Sequence, residues 1–217
     1  MKKLHKGLWN CDSRALRRII TRWQRLNEEQ GSDWIKYYED APWWYNERAS
    51  LSFFCGAIWL SGGWVFEEFV AEKKSTRGKR NKRRYIGRCD IEFGIGKKKF
   101  LVEAKQCWSN IGAPLKNTLK RIESHLKKAC QESKQTYAPA DQHIGVVFAC
   151  PLIHKSKREH LDLELEQFVV ELRKLRQTTI AWVFPNAARN LRPSGKNRNY
   201  IYPGAVLLIR CAQKPRA

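Results

Sequence analysis

Apolar side chains recur every three or four residues in four segments of the chain, the spacing that places them on one face of an α-helix. They predict helices from Asp12 or Ser13 to about Gly31, from Asn46 to Gly62-Gly63, and at Leu115–Gln135 and Leu161–Arg176. Asp, Ser and Asn are the residue types that cap helix N-termini, and glycine commonly ends helices. Lysine and arginine occupy several of the remaining positions of the Leu115–Gln135 segment, so we expect a basic amphipathic helix there.

Runs of β-branched and aromatic residues between these helices predict strands. The predicted strands are Trp64–Glu72, the two halves of 85–105, His143–Ile153, Thr178–Phe184 and Tyr200–Cys211. From Asn46 onward the predicted order is therefore helix, three strands, helix, strand, helix and strands.

Residues 1–45 differ from the rest because they contain a helix and an aromatic-rich stretch without a predicted strand. We expect a helical N-terminal extension here and a single domain over residues 46–217. The aromatic stretch includes Trp43 and Trp44 after Pro42. Packing of the extension onto the core explains these residues best, and a platform for stacking nucleic-acid bases is the alternative.

The segment 85–105 reads as a hairpin, because Gly96-Lys97 at its centre can form a two-residue turn. In that register Asp90 pairs with Glu103, and Arg88 pairs with Lys105. Side chains alternate between the faces of a strand, so these four share one face. The opposite face carries Cys89, Ile91, Phe93, Phe100, Val102 and Ala104. One face is thus apolar core, and the other is charged.

Two carboxylates directly opposite each other on neighbouring strands, with Cβ atoms roughly 5 Å apart, repel and destabilise the hairpin. A hard divalent cation would offset that repulsion, and Mg²⁺ commonly binds one or two carboxylates together with phosphate oxygens and water. Lys105 would then orient or deprotonate an attacking water, or stabilise the charge that develops on phosphorus. The alternative is ordinary exposed surface, since Glu-x-Lys is common on solvated strand faces.

The balance of charge points to a polyanionic partner. The 217 residues include 42 Lys and Arg against 21 Asp and Glu, which gives a formal net charge of +21. This excess is far beyond what solubility requires, and nucleic acid is the first candidate.

Two segments concentrate the positive charge. Eight of the twelve residues in Lys73–Arg84 are basic, and a second basic loop spans Arg189–Arg198. The candidate phosphate-binding residues are Lys73, Lys74, Arg77, Lys79, Arg80, Lys82, Arg83, Arg84, Arg88, Arg192, Lys196 and Arg198. A run that serves only solubility or localisation is the alternative for the first segment.

Other classes of protein are disfavoured. No apolar run approaches the roughly 20 residues of a membrane span, and the N-terminus lacks the apolar stretch of a signal peptide. We therefore expect a soluble, cytoplasmic protein that does not bind membranes. Its seven cysteines are scattered and never spaced as C-x-x-C, which indicates reduced thiols rather than disulfides or a zinc site.

The order of the charged residues resembles that of a known superfamily. Glu47 lies in a helix, Asp90 follows on the second predicted strand, Glu103-x-Lys105 lies on the third, and a helix comes next. Over about residues 46–150 the chain resembles the PD-(D/E)xK nucleases. The resemblance implies an α/β restriction-endonuclease-like fold, with a mixed central β-sheet flanked by helices. It also implies an enzyme that cuts DNA with Mg²⁺.

The resemblance also implies roles for individual residues. Asp90, Glu103 and the Ala104 carbonyl would bind the metal, and Lys105 would polarise the attacking water. Glu47 resembles an acidic residue that in many members binds a metal-bound water or a second metal. The alternative is a first-turn glutamate that the helix dipole stabilises. Gln106 resembles a glutamine that some members carry after the lysine. Strand alternation, however, places its side chain on the face opposite Glu103 and Lys105. A role at the edge of the core explains it equally well.

One position departs from the founding motif, because Cys89 stands where that motif has proline. That residue only shapes the strand, so the departure does not argue against activity.

These observations together predict a Mg²⁺-dependent deoxyribonuclease, in the first instance an endonuclease, with Mn²⁺ as a possible substitute. The alternatives are a non-catalytic nucleic-acid-binding module and an RNA-directed nuclease effector on the same fold. The sequence shows no helix-turn-helix or zinc-finger pattern, so any target specificity would come from loops or from a protein partner. A homodimer is a further option for cutting both strands.

Overall fold

The computed structural model describes residues 4–74, 84–192 and 198–212. These residues contain four α-helices, α1 Arg14–Tyr38, α2 Glu47–Trp59, α3 Leu115–Gln135 and α4 Leu161–Leu172. The predicted bounds of α3 are confirmed, and Asn46 caps α2 as predicted, because its side chain accepts the Ala49 N–H at 3.0 Å. The fourth helix ends earlier than predicted, in a turn after Leu172.

The described strands join in one nine-stranded sheet. They are β1 Lys6–Trp9, β2 Trp64–Lys74, β3 Arg84–Ile95, β4 Lys98–Asn110, β5 Thr136–Tyr137, β6 Gln142–His154, β7 Thr179–Val183, β8 Tyr200–Ile201 and β9 Ala205–Cys211. Their order is β1-β7-β9-β6-β4-β3-β2-β5, and β8 pairs with the end of β6. Strands β4 and β6 run parallel with α3 between them in sequence, and the other pairings among the described residues are antiparallel. The chain is therefore α/β with a mixed, mostly antiparallel sheet.

The helices cover both faces of this sheet. One core cluster joins α1 and α2 to one face through residues such as Ile19, Phe54 and Phe93. A second cluster joins α3 and α4 to the other face through residues such as Leu126 and Phe168. The layers are thus helix, sheet, helix.

The first 45 residues are part of this architecture rather than an appendage. Strand β1, which the sequence analysis did not predict, pairs with β7 at one edge of the sheet. Trp43 is buried, and its indole N–H donates to the Tyr202 carbonyl at 3.2 Å. The packing role expected for the aromatic stretch is confirmed at Trp43.

Helix α1 does not end near Gly31, contrary to prediction. It continues to Tyr38 because Gly31 lies against the indole of Trp43, where a Cβ would come within 2.7 Å of Trp43 Cζ3. Glycine here permits close packing between α1 and the segment before α2, and that tertiary contact overrides the local tendency of glycine to end a helix.

The predicted hairpin register is confirmed from Ile91, which pairs with Val102, to the turn. Gly96 has a φ of 59°, and a positive φ at only the first turn position is the pattern of a type II′ hairpin. The six side chains expected on the apolar face are all fully or almost fully buried. The final predicted strand is divided into β8 and β9 around Gly204, whose φ is 149°.

Strands β2 and β3 continue beyond Asp90 as a long arm. Glu68 on β2 has a φ of 53°, and neither Glu68 nor the facing Asp90 has a partner in the β2–β3 ladder. Past this point the end of β2 pairs with β5, where Lys73 lies opposite Thr136 at the C-terminal end of α3. The end of the arm therefore lies beside the C-terminal end of α3.

All seven cysteines are free thiols, and five of them are buried. None of the helices in the described ranges is long and apolar enough to cross a membrane.

Candidate active site

Asp90 lies where β3 and β4 separate. The predicted ladder pair between Asp90 and Glu103 does not form, because pairing between the strands ends at Ile91 and Val102. Instead the Ala104 N–H donates to Asp90 Oδ2 at 2.7 Å. Because the strands separate here, the two carboxylates are not directly paired and their repulsion is reduced. The Asp90 carboxylate takes the place of a backbone carbonyl as the acceptor for the Ala104 N–H.

Glu103 is buried beside Asp90, with only 3% of its surface exposed. Its Oε1 accepts a hydrogen bond from Lys73 Nζ at 2.7 Å and lies 3.4 Å from Thr136 Oγ1. Burial raises the pKa of the Glu103 carboxyl; Lys73 opposes this shift, and the nearby Asp90 adds to it.

Lys105 lies on the same strand, two residues further along. Its Nζ donates to the Ala104 carbonyl at 2.6 Å and forms an ion pair with Glu132 Oε2 of α3 at 2.9 Å. Burial alone would lower the pKa of Lys105, but Glu132, with Asp90 and Glu47 nearby, outweighs it and raises the pKa. Lys105 is therefore a protonated ammonium at neutral pH.

Glu47 reaches this group from the first residue of α2. Its Oε2 accepts the backbone N–H of Gln106 at 3.1 Å. Burial raises the pKa of Glu47; the ammonium of Lys105 opposes the shift, and Asp90 adds to it. The half-buried Glu47 thus directs its carboxylate to the backbone of β4, close to Lys105.

Gln106 does not join the cluster through its side chain. Its Oε1 accepts from Ser50 Oγ at 2.8 Å, and its Nε2 donates to the Trp43 carbonyl at 3.3 Å. Both bonds lie on the face that α2 covers, opposite Glu103 and Lys105. The structure thus places Gln106 at the edge of the core, as its strand position indicated, and does not bring it into the site that the resemblance implied.

Two charged residues of the cluster were missed or misassigned from sequence. Lys73 is buried and paired with Glu103, so its assignment as an exposed phosphate-binding residue is wrong. The physical reason is that β2 extends to Lys74, which makes Lys73 a strand residue turned inward rather than the start of a loop. Glu132 was not predicted, since only the docking of α3 on the sheet brings it to Lys105.

The other predicted phosphate-binding residues fall into three groups. Lys74, Arg192 and Arg198 are exposed. Arg84 and Arg88 are exposed too, but pair with Glu72 at 3.1 Å and with Glu68 at 3.3 Å. The remaining candidates, Arg77, Lys79, Arg80, Lys82, Arg83 and Lys196, lie outside the described residues. The second basic loop also begins differently from expectation, because Arg189 is buried and pairs with Asp162.

The candidate metal ligands of the cluster are oxygen atoms, which hard divalent cations prefer. Asp90, Glu103, Glu47 and the Ala104 carbonyl all offer oxygen. Two of these donors instead contact ammonium groups, Glu103 through Lys73 and the Ala104 carbonyl through Lys105. Within the described ranges, no three His, Cys, Asp or Glu side chains lie close enough together to hold a metal ion.

The charges of the cluster do not balance. Four carboxylates, of Glu47, Asp90, Glu103 and Glu132, face the two ammonium groups of Lys73 and Lys105. These six ionised groups therefore have a formal charge of −2, and the exposed ammonium of Lys128, 3.8 Å from Glu132 Oε1, offsets part of it. Burial is the main cause of the raised pKa values of Glu47 and Glu103, and the nearby Asp90 adds to both.

No family model matches the chain, and no curated protein or solved structure matches it.

Proposed function

We propose that the chain is a Mg²⁺-dependent deoxyribonuclease of the PD-(D/E)xK type, which hydrolyses phosphodiester bonds in DNA. The observation that carries the proposal is the convergence of Glu47, Asp90, Glu103 and Lys105, from α2, β3 and β4, at the point where β3 and β4 separate. A cluster of acids with excess negative charge is costly in a fold, and a role in binding a cation explains why the chain retains it.

Asp90, Glu103 and the Ala104 carbonyl would hold the cation, and Glu47 would accept a hydrogen bond from a metal-bound water or join a second metal site. When bound, Mg²⁺ would supply charge neutralisation at the scissile phosphate and lower the pKa of a bound water. Mn²⁺ offers similar oxygen chemistry and would substitute.

Lys105 acts as an electrostatic group in this proposal. In the metal-free protein its raised pKa keeps the ammonium protonated at neutral pH. An ammonium can donate to the attacking water or to a phosphate oxygen and stabilise the negative charge that grows in the transition state.

The excess of positive charge supports nucleic acid as the substrate. The net charge of +21 belongs to the chain as a whole, whereas the candidate site itself is locally negative. A cation in the site would remove the local repulsion of phosphate, and exposed residues such as Lys74, Arg192 and Arg198 would hold neighbouring phosphates. A second copy of the chain, or a protein partner that directs it to a target, would account for cutting of both strands and for specificity.

A second candidate function is a non-catalytic nucleic-acid-binding module. It is favoured by the contacts of Lys73 and Lys105, whose ammonium groups already bind two of the proposed metal-binding oxygens. A nuclease that acts on RNA would use the same residues and is distinguished only by substrate.

A cleavage panel tests these possibilities. Purified protein is incubated with circular, linear and branched DNA and with RNA, each in Mg²⁺, in Mn²⁺ and in EDTA. The proposal predicts cleavage of DNA with either metal and none in EDTA. Binding without cleavage under every metal condition would favour the binding module, and cleavage of RNA alone would favour the RNA-directed enzyme.

A further inference from the structure

Lys73 is an internal cation whose place in the fold needs explanation. Its side chain is 10% exposed, and its ammonium lies 2.7 Å from Glu103 Oε1. Burying an ammonium is unfavourable unless a carboxylate compensates it. Glu103 supplies that compensation and is also a proposed metal ligand, so one carboxylate serves two cations.

Strand pairing brings Lys73 to Glu103. The end of β2 pairs with β5, and Lys73 lies opposite Thr136 at the end of α3. The Lys73 stem lies over Gly87, where a Cβ would come within 3.1 Å of Lys73 Cδ. The strand therefore presents the ammonium to Glu103.

We propose that Lys73 competes with the divalent cation for Glu103 and so sets the metal concentration that the site requires. The inference rests on the proposed function, since it takes Glu103 as a metal ligand. In the metal-free protein Lys73 is the counter-ion of Glu103. The cation must then bind beside that ammonium or displace it from the carboxylate, and both cost affinity.

The electrostatics give the direction of the effect. Replacing Lys73 with methionine removes one positive charge and changes the formal charge of the cluster from −2 to −3. Opposite charges a few ångströms apart interact strongly even at an effective dielectric constant of about 20, so we expect about tenfold tighter binding of metal or more. If Lys73 only positioned Glu103, Lys73→Met would bind the metal more weakly than the wild type.

Isothermal titration with Mg²⁺ or Mn²⁺, without nucleic acid, measures this directly. Lys73→Met should bind metal about tenfold more tightly than the wild type, whereas Lys73→Arg retains the charge and should bind like the wild type. Lys6→Met is the matched control, because Lys6 also lies on a strand and pairs with a glutamate, Glu28, at 2.6 Å, but at the opposite edge of the sheet. It should leave metal affinity unchanged.

A measurement on the wild-type protein covers the case in which Lys73→Met fails to fold. The nitrogen-15 NMR signal of the Lys73 ammonium, identified by its loss in Lys73→Arg, should be protected from exchange without metal and should shift or lose protection with saturating Mg²⁺. The signal of Lys6 should not change. A Lys73 signal unaltered at saturating metal would overturn the inference.

The outcomes separate this inference from the proposed function. Unchanged or weaker metal binding by folded Lys73→Met, in a protein whose wild type binds metal and cuts DNA, overturns only the role of Lys73. Failure of both wild type and Lys73→Met to bind metal overturns the role of Lys73 and the proposed nuclease together.

Discussion

The Asp90 side chain accepts the Ala104 N–H through Oδ2 at 2.7 Å. In a continued β3–β4 ladder this N–H would donate to a backbone carbonyl instead. The same arrangement recurs nearer the start of β4, where Asp141 Oδ2 accepts the Lys99 N–H, also at 2.7 Å. Asp141 is exposed, whereas Asp90 lies beside Glu47, Glu103 and Lys105. Two aspartates thus make the same bond to one strand, and only Asp90 has the neighbours of a catalytic group.

Lys105 should be required for cleavage but not for binding. Lys105→Met removes the ammonium and keeps much of the side-chain volume, so we expect cleavage to fall by about 100-fold or more while DNA affinity changes little. Single-turnover cleavage and a filter-binding titration measure the two effects. Lys128→Met is the control, because Lys128 also lies near Glu132, at 3.8 Å, but is exposed. Equal losses in both variants would show that charge near Glu132 matters rather than Lys105 itself.

The contact between Gly31 and Trp43 predicts a stability effect opposite to helix propensity. Alanine in place of a helical glycine gains up to about 1 kcal/mol from propensity alone. At Gly31 the new Cβ would come within 2.7 Å of the Trp43 ring, so we expect Gly31→Ala to lower the free energy of unfolding by about 1–3 kcal/mol.

Gly56 in α2 is the matched control for Gly31. A Cβ at Gly56 would lie 3.6 Å from Leu26 Cδ1, an ordinary contact, so Gly56→Ala should stabilise the protein. Urea unfolding of both variants gives the comparison. Stabilisation by Gly31→Ala as well would contradict the packing of α1 against the segment that holds Trp43.

The pair between Glu123 and Arg210 predicts a pH-dependent contribution to stability. Burial alone would raise the pKa of Glu123, but two bonds from the Arg210 guanidinium, at 2.9 and 2.8 Å, outweigh it and lower the pKa. A carboxyl whose pKa is lowered in the folded state stabilises the fold above its unfolded pKa, and this contribution is lost as pH falls through the folded pKa. Glu123→Gln should therefore cost about 1–3 kcal/mol at neutral pH and progressively less in acid.

Urea unfolding at neutral pH and at the lowest pH at which both proteins fold would measure this difference. Glu171→Gln is the control, since Glu171 pairs with the exposed Lys174 on the helix surface and should cost no more than about 0.5 kcal/mol. A difference between wild type and Glu123→Gln that stays constant with pH would show that the pair contributes through packing rather than charge.

Much of the candidate site could be predicted because it depends on local rules. The glycine turn and the alternation of strand side chains place Asp90, Glu103 and Lys105 on one face of the hairpin. The cap at Asn46 places Glu47 at the start of α2. These relationships span few residues, so hydrophobic pattern and turn chemistry determine them.

The remaining residues of the site depend on contacts between distant parts of the chain. Lys73 reaches Glu103 because the end of β2 pairs with β5 beside the end of α3, which local sequence patterns do not signal. Glu132 reaches Lys105 because α3 docks on the sheet. Strand β1 is only four residues long and pairs with β7, so its alternation is too short to recognise without its partner.

Replacement of Asp90 tests the central claim most directly. In Asp90→Asn the side-chain oxygen can still accept the Ala104 N–H, so the fold should be retained while a metal-binding carboxylate is lost. Asp141→Asn makes the same chemical change at the exposed counterpart. With supercoiled DNA in Mg²⁺, we expect the nicking rate of Asp90→Asn to fall by at least about 100-fold and that of Asp141→Asn to match the wild type. Wild-type nicking by Asp90→Asn, or an equal loss in Asp141→Asn, would contradict the assignment of this cluster as a nuclease active site.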